Sequence, residues 1–266
     1  MFDVQVGAHA SPISVPAPLI AVAHGSRDPR SARAVAAAVD VIRAQRPDLD
    51  VRLCFLDLSA PSVDQAIDSV AADGHSSAVV VPLLLGSAFH ARVDLPALLA
   101  AGSRRHPGLS LIQADVLGDD ARLVSAVRDR VADTGVALGD PEIGVVLAAV
   151  GSSSAAANEL TTRIGPRLHS GTAWAGVEVC FATTEPGLPQ AVSTLRSRGA
   201  RSIVVAPWFL APGLLTDRIG RSADGCAPGS LRADVIGDHP LLAEVALDRY
   251  RVQAELLSCT RVELSA

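Results

Sequence analysis

The chain contains no lysine. All 23 basic residues are arginine, a bias that reads as compositional, because the two cations differ in chemistry without being exchanged at every site at once. Positive charge is also in deficit: 28 acidic residues leave a net charge of −5, which argues against nucleic acid as a partner. Aromatics make up only 3% of the residues, so the core must be aliphatic. The four cysteines, Cys54, Cys180, Cys226 and Cys259, are scattered with no CxxC pair. Neither a disulfide framework nor a structural zinc site follows from that spacing, and no iron–sulfur cluster is expected. Cys54 and Cys180 lie inside apolar runs and read as small buried hydrophobes. No apolar run reaches the roughly 18 residues of a membrane span. The N-terminal segment MFDVQVGAHASPISVPAP has neither a basic n-region nor a long apolar core. It reads as a proline-rich arm over 1–18, and no membrane partner and a cytoplasmic location are expected.

What is present is a globular composition. Apolar residues are 49% and charged residues 19% of 266, enough for two ordinary domains or one large one. Strand-like and helix-like segments alternate. LIAVA (19–23) suits a buried parallel strand. Residues 30–45 have helical spacing, 51–58 read as a strand, and 62–74 as a helix ending at Gly74. A strand is predicted over 77–85, a helix over 93–105, a strand over 109–116 and a helix over 119–133. This βαβαβαβα pattern predicts a parallel sheet covered by helices on both faces.

The second half repeats the first. GVVLAAVGSSS (144–154) matches LIAVAHGSR (19–27), with Gly151 over Gly25 and Ser152 over Ser26. VCFATTEPGLPQAV (179–192) matches LCFLDLSAPSVDQAI (53–67) with one residue deleted, and beyond the deletion Pro186 lies over Pro61 and Pro207 over Pro82. A period this long means tandem domains. The Gly, Asp and Pro of TGVALGDPE, around 135–142, mark the linker. The domains are therefore placed at 19–137 and 138–266.

The copies differ in their titratable residues. His24 is matched by Val150, His90 by Leu215 and Arg27 by Ser153, and Asp57 has no carboxylate counterpart. In a flavodoxin-like sheet of order 2-1-3-4, His24, Asp57 and His90 follow three neighbouring strands at their carboxyl ends, where such sheets bind ligands. Two imidazoles and a carboxylate there could hold a divalent transition metal, accept protons, or do both. Arg27 and Arg92 flank the histidines and could bind carboxylates. Gly25 and Ser26 recur in the copy, which fits a role in the turn. His9, His75, His106, His169 and His239 read as structural or solvated. HGSRDPRS is short of the glycines of a dinucleotide loop, and neither GxxxxGK[ST] nor GxSxG occurs, so no nucleotide or other organic cofactor and no serine hydrolase is expected.

AHGSRDPRS (23–31), FLDLSAPSVDQAI (55–67) and VPLLLGSAFHARVDLP (81–96) together resemble the sirohydrochlorin chelatase family, the class II chelatases. The likeness covers the first half, and the second half resembles the same family in degenerate form. The resemblance implies two tandem flavodoxin-like α/β domains facing across a cleft. It implies a lyase-type chelatase that takes a divalent metal, Fe2+ ahead of Co2+, as substrate and inserts it into sirohydrochlorin for sirohaem or cobalamin. His24 and His90 would bind the metal or take the pyrrole protons. Asp57 would stand at the metal where the family usually has glutamate, with a reach shorter by a methylene. The ring's carboxylates would meet Ser26, Arg27, Arg30, Arg92 and Arg218. Trp208 and Phe209 stand where the first half has Leu83 and Leu84, and read as core or as an apolar wall. The duplication supplies both walls, so a monomer would suffice. The competing reading is a tetrapyrrole or metal carrier without turnover. A coproporphyrin or protoporphyrin ferrochelatase would carry its histidine and glutamate in the C-terminal half, and this chain does not.

Overall fold

A computed structural model describes residues 16–86 and 93–264, with side chains followed as far as 257. His9, His90 and Arg92 lie outside the described residues, as do the first fifteen positions of the arm.

The first half runs β1 (Leu19–Ala23), α1 (Pro29–Gln45), β2 (Val51–Phe55), α2 (Val63–Ala72), β3 (Ser77–Pro82), α3 (Leu95–Arg105), β4 (Ser110–Gln113) and α4 (Ala121–Ala132). The second runs β5 (Ile143–Ala149), α5 (Ala155–Thr162), α6 (Ile164–His169), β6 (Gly176–Phe181), α7 (Leu188–Ser197), β7 (Ser202–Pro207), α8 (Leu214–Cys226), β8 (Leu231–Arg232) and α9 (Pro240–Leu264). Each half forms a parallel sheet, ordered β2-β1-β3-β4 and β6-β5-β7-β8. The register repeats as well: Val22 pairs with Pro82, and Ala148 with Pro207. The peptide bonds before Pro61 and Pro186 are both cis.

Local chemistry sets the element ends. Asp28 caps α1 by accepting from Arg30 N, with Pro29 at N1, where a missing N–H costs nothing. Ser62 and Gln65 form a capping box at the start of α2. At its other end Gly74 takes the left-handed conformation (φ +81°) of a C′ residue. Three strands are shorter than the apolar runs suggest. β2 stops at Phe55, because the chain then enters the turn to Pro61, and β3 stops at Pro82. β4 keeps only Ser110–Gln113, as an edge strand. The helix that matches α1 is broken in the second half: Pro166 has no N–H to give the carbonyl of Thr162, and α5 yields to α6 at Arg163.

The outer face of each sheet has its own aliphatic core. α2 and α3 cover one with Ile67, Val70 and Leu95, and α7 and α8 cover the other with Leu195, Ile219 and Ala223. The inner faces share a single core. Leu19, Val81, Leu123, Val127, Leu147, Ala206 and Val245 all belong to it. Into it the halves exchange their last helices. α4 packs on β7 and α6, and α9 packs on β3 and α1. Arginines fasten the exchange. Arg128 of α4 donates to the carbonyls of Arg167, Leu168 and Ser170 at 2.9–3.1 Å, closing the C-terminus of α6. Arg249 of α9 donates to Val116 O and Leu117 O, and the buried Tyr250 donates its hydroxyl proton to Ala17 O at 2.7 Å. Trp208 is buried in the shared core, and Phe209 packs against the outer core of α7 and α8. No helix among the described residues is long and apolar enough to cross a membrane.

Candidate functional site

His24 is the first residue beyond β1, and its side chain is exposed. Its carbonyl accepts from Asp57 N at 3.1 Å, so the turn after β2 lies directly against it. Gly25 makes that approach possible. At φ +91° it stands so close that a Cβ would sit 1.7 Å from the carbonyl oxygen of Asp57. Ser59 stitches the same two loops, accepting from Ser26 N at 3.2 Å and donating to Ser26 O at 3.1 Å. Nδ1 of His24 lies 3.3 Å from Gly25 O. A proton on Nδ1 donates to that carbonyl and puts the ring's lone pair on Nε2, the form that binds a metal or takes a proton.

The other expected residues divide. The Asp57 carboxylate accepts from its neighbour Leu58 N at 2.7 Å and does not cap α2, a task Ser62 performs. The Ser26 hydroxyl accepts from Asp28 N at 3.0 Å and so shapes the start of α1. Arg27 is exposed and makes no ion pair among the described residues. Arg30 is already engaged. Its guanidinium meets the Asp28 carboxylate with Nε and Nη2, and the Asp217 carboxylate with Nη1 and Nη2 at 3.1 and 2.6 Å. Arg30 holds both carboxyls below the usual carboxylate range. Arg218 lines a cavity of about 360 Å3 on the outer side of the second sheet, with Thr183, Glu185 and Leu188. A larger cavity of about 790 Å3 lies between the halves, lined by Ala34 and Ala37 of α1 and by Thr216, Asp217 and Gly220 of α8. Neither is lined by His24 or Asp57. Among the described residues no three His, Cys, Asp or Glu side chains gather as a metal site, and His90 lies outside them.

The remaining described histidines have structural partners. His106 meets Asp68 at 2.7 Å, His169 meets Trp174 O at 3.0 Å, His239 accepts from Leu241 N at 3.3 Å, and His75 stands 3.6 Å from Asp50.

Two features were not read from the sequence. The Arg30–Asp217 pair joins the first turn of α1 to the first turn of α8, so the carboxyl ends of the two sheets approach one another. No local pattern announces a pair 187 positions apart. Exposed apolar residues also collect at these strand ends: Leu58 after β2, Val93 before α3, Val150 after β5 and Leu214 after β7. The second half keeps the scaffold of the site, with Thr183 donating its N–H and its hydroxyl to Val150 O at 3.0 and 2.8 Å, where Asp57 meets His24.

Paired flavodoxin-like halves that meet at the carboxyl ends of their sheets, with histidine after the first strand of one half alone, are the arrangement of a class II chelatase. The CbiX family profile matches residues 18–134 and again residues 144–253, and the chain belongs to that family. A sirohydrochlorin ferrochelatase of Priestia megaterium is 27% identical over 231 residues, spanning 84% of this chain and 85% of that protein. A sirohydrochlorin cobaltochelatase of the same organism is 28% identical over 205 residues, spanning 74% of this chain but only 65% of that protein. Among solved structures, SirB from Bacillus subtilis with Fe3+ superposes with a TM-score of 0.77 at 27% identity, covering 90% of this chain and 96% of that one.

Proposed function

We propose that this protein is a sirohydrochlorin chelatase, with iron ahead of cobalt as the metal it inserts. One observation carries the reading: His24 stands at the carboxyl end of β1, clamped to the Asp57 turn, while the duplicate builds the same clamp around Val150. Insertion of M2+ into a free-base macrocycle exchanges the metal for two pyrrole protons. It needs a ligand that hands the metal inward and a base that takes the protons. A neutral imidazole such as that of His24 suits either task. His90 is its partner by topology, since its loop follows β3, the strand beside β1. The second half supplies the opposite wall. The preference for iron is supported by the ferrochelatase relative, which matches more of this chain, and more of its own length, than the cobaltochelatase does.

The test is anaerobic insertion followed by the absorbance of the ring, with Fe2+ and Co2+ offered separately. Wild type should accelerate insertion, faster with Fe2+. His24→Ala and His90→Ala should each lower the rate about 100-fold or more, while Leu215→Ala, at the position matching His90, should leave it unchanged. Tight ring binding without acceleration would replace the chelatase with a carrier.

A further inference from the structure

Among the described residues Leu58 alone, apart from glycines, has a left-handed backbone, with φ +60°. Its side chain is 48% exposed. Both are unfavourable for leucine, whose Cβ crowds the carbonyl in that region and whose apolar surface stays in water.

The duplicate shows that the scaffold does not require this. The second half spans Phe181 to Pro186 with one residue fewer than the first uses from Phe55 to Pro61. It keeps the bonds that define the turn: Phe181 N donates to Pro186 O as Phe55 N does to Pro61 O, both at 2.9 Å, and Thr183 N donates to Val150 O as Asp57 N does to His24 O. It does so with no left-handed residue other than glycine. The extra residue and its unfavourable backbone therefore belong to the histidine-bearing half alone. The turn around Leu58 is also braced. The Asp57 carboxylate accepts from Leu58 N, the Ser59 hydroxyl is locked between the N–H and carbonyl of Ser26, and Gly25 lets the Asp57 carbonyl press against the His24 loop. Strain of this kind survives where the surroundings over-determine it, and it concentrates at functional sites.

We infer that Leu58 is a specificity-determining contact for a flat macrocycle, an apolar side chain held out beside His24 so that the face of the ring rests on it. The inference rests on the chelatase reading. It gives Asp57 a positioning role, fixing the turn that displays Leu58. It also accounts for an aspartate here, since the shorter side chain closes onto the next N–H.

Glycine and asparagine both accept a left-handed backbone, so Leu58→Gly and Leu58→Asn should fold with a melting temperature equal to or above wild type. The dissociation constant of metal-free sirohydrochlorin, read by fluorescence quenching, should rise about tenfold in both, as expected for loss of a leucine-sized apolar contact. KM should rise with it and kcat should hold. Leu58→Met should recover most of the affinity. Thr184→Gly, on the matching turn of the second half, should change neither. Wild-type ring affinity and KM in Leu58→Gly, with turnover intact, would overturn this inference and leave the chelatase reading standing. A wild-type protein that neither binds nor metallates the ring would overturn both.

Discussion

Gly25 has no room for a side chain. Any Cβ would collide with backbone, the Asp57 carbonyl, and would have to hold φ +91° besides. At the matching Gly151 (φ +88°) the nearest atom is the Thr184 Cγ2 methyl at 2.9 Å, which can move aside. Gly151→Ala should cost about 1–2 kcal/mol, the ordinary penalty of a left-handed alanine. Gly25→Ala should cost more, and it should lower ring metallation too, because the Asp57 turn must shift. Denaturant unfolding of the two variants checks the order, and equal losses would refute it. Asp57 can be tested for two roles at once. Asp57→Asn keeps an acceptor for Leu58 N, whereas Asp57→Ala removes it at about 1 kcal/mol. If Asp57→Asn keeps wild-type stability and wild-type insertion, the carboxylate serves the turn and not the metal. At this scale the sequence was partly legible. The histidines stood out because the copy lacks them, but the backbone of Leu58 did not, because nothing in Asp-Leu-Ser announces a left-handed leucine.

Among the elements, the exchanged helices show where local pattern stops. The amphipathic spacing of 119–133 predicts a helix, and α4 is one. Which sheet its apolar stripe covers is a tertiary matter, and Val124 and Val127 enter the shared core rather than an isolated first domain. The missing lysine becomes informative here. The Nη2 of Arg128 reaches three carbonyls at the end of α6 from the tip of a side chain one bond longer than that of lysine, so a shorter ammonium in its place falls short of them. Arg128→Lys should therefore destabilise the protein by about 1–2 kcal/mol despite the retained charge, as read by denaturant melts. A neutral result would mean that water can close that helix end as well. The apolar runs continue past β2 and β3 into loops: beyond β3, Leu83 and Leu85 join the shared core, while beyond β2, Leu56 packs on the outer core of its own half and Leu58 stands exposed.

The whole molecule couples its halves by charge and by core. Arg30 depresses Asp28 and Asp217, and Arg122 depresses Asp120. A carboxyl whose folded pKa lies below its unfolded value stabilises fully above about pH 4, and that contribution is lost as pH falls through the folded value. Stability should be flat from neutrality to about pH 4 and decline below it, and Asp217→Asn should soften the decline. Thiol labelling tests the shared core. Cys54 and Cys180 occupy matched strands, and burial pushes both thiols up to about 12, so neither should react at pH 8 in the folded protein. Both should become reactive in one denaturant transition. Labelling of Cys180 ahead of Cys54 would mean that the halves melt separately. The duplication, the strand order and the parallel sheets were legible at this scale, since they follow from periodicity and repeat. The helix exchange and the Arg30–Asp217 contact were not, since they depend on how two similar layers dock.

The exchange of α4 and α9 also has a topological consequence. Cleavage near 135–142 would not release two proteins, because each fragment would still hold a helix that the other needs. The nicked pair should travel as one particle, and separately expressed fragments should complement each other. A nonsense codon near Pro240 would be a different lesion. It lies more than two hundred residues from His24, yet it would strip α9 from β3, the strand that leads toward His90, and from α1, the helix that follows His24.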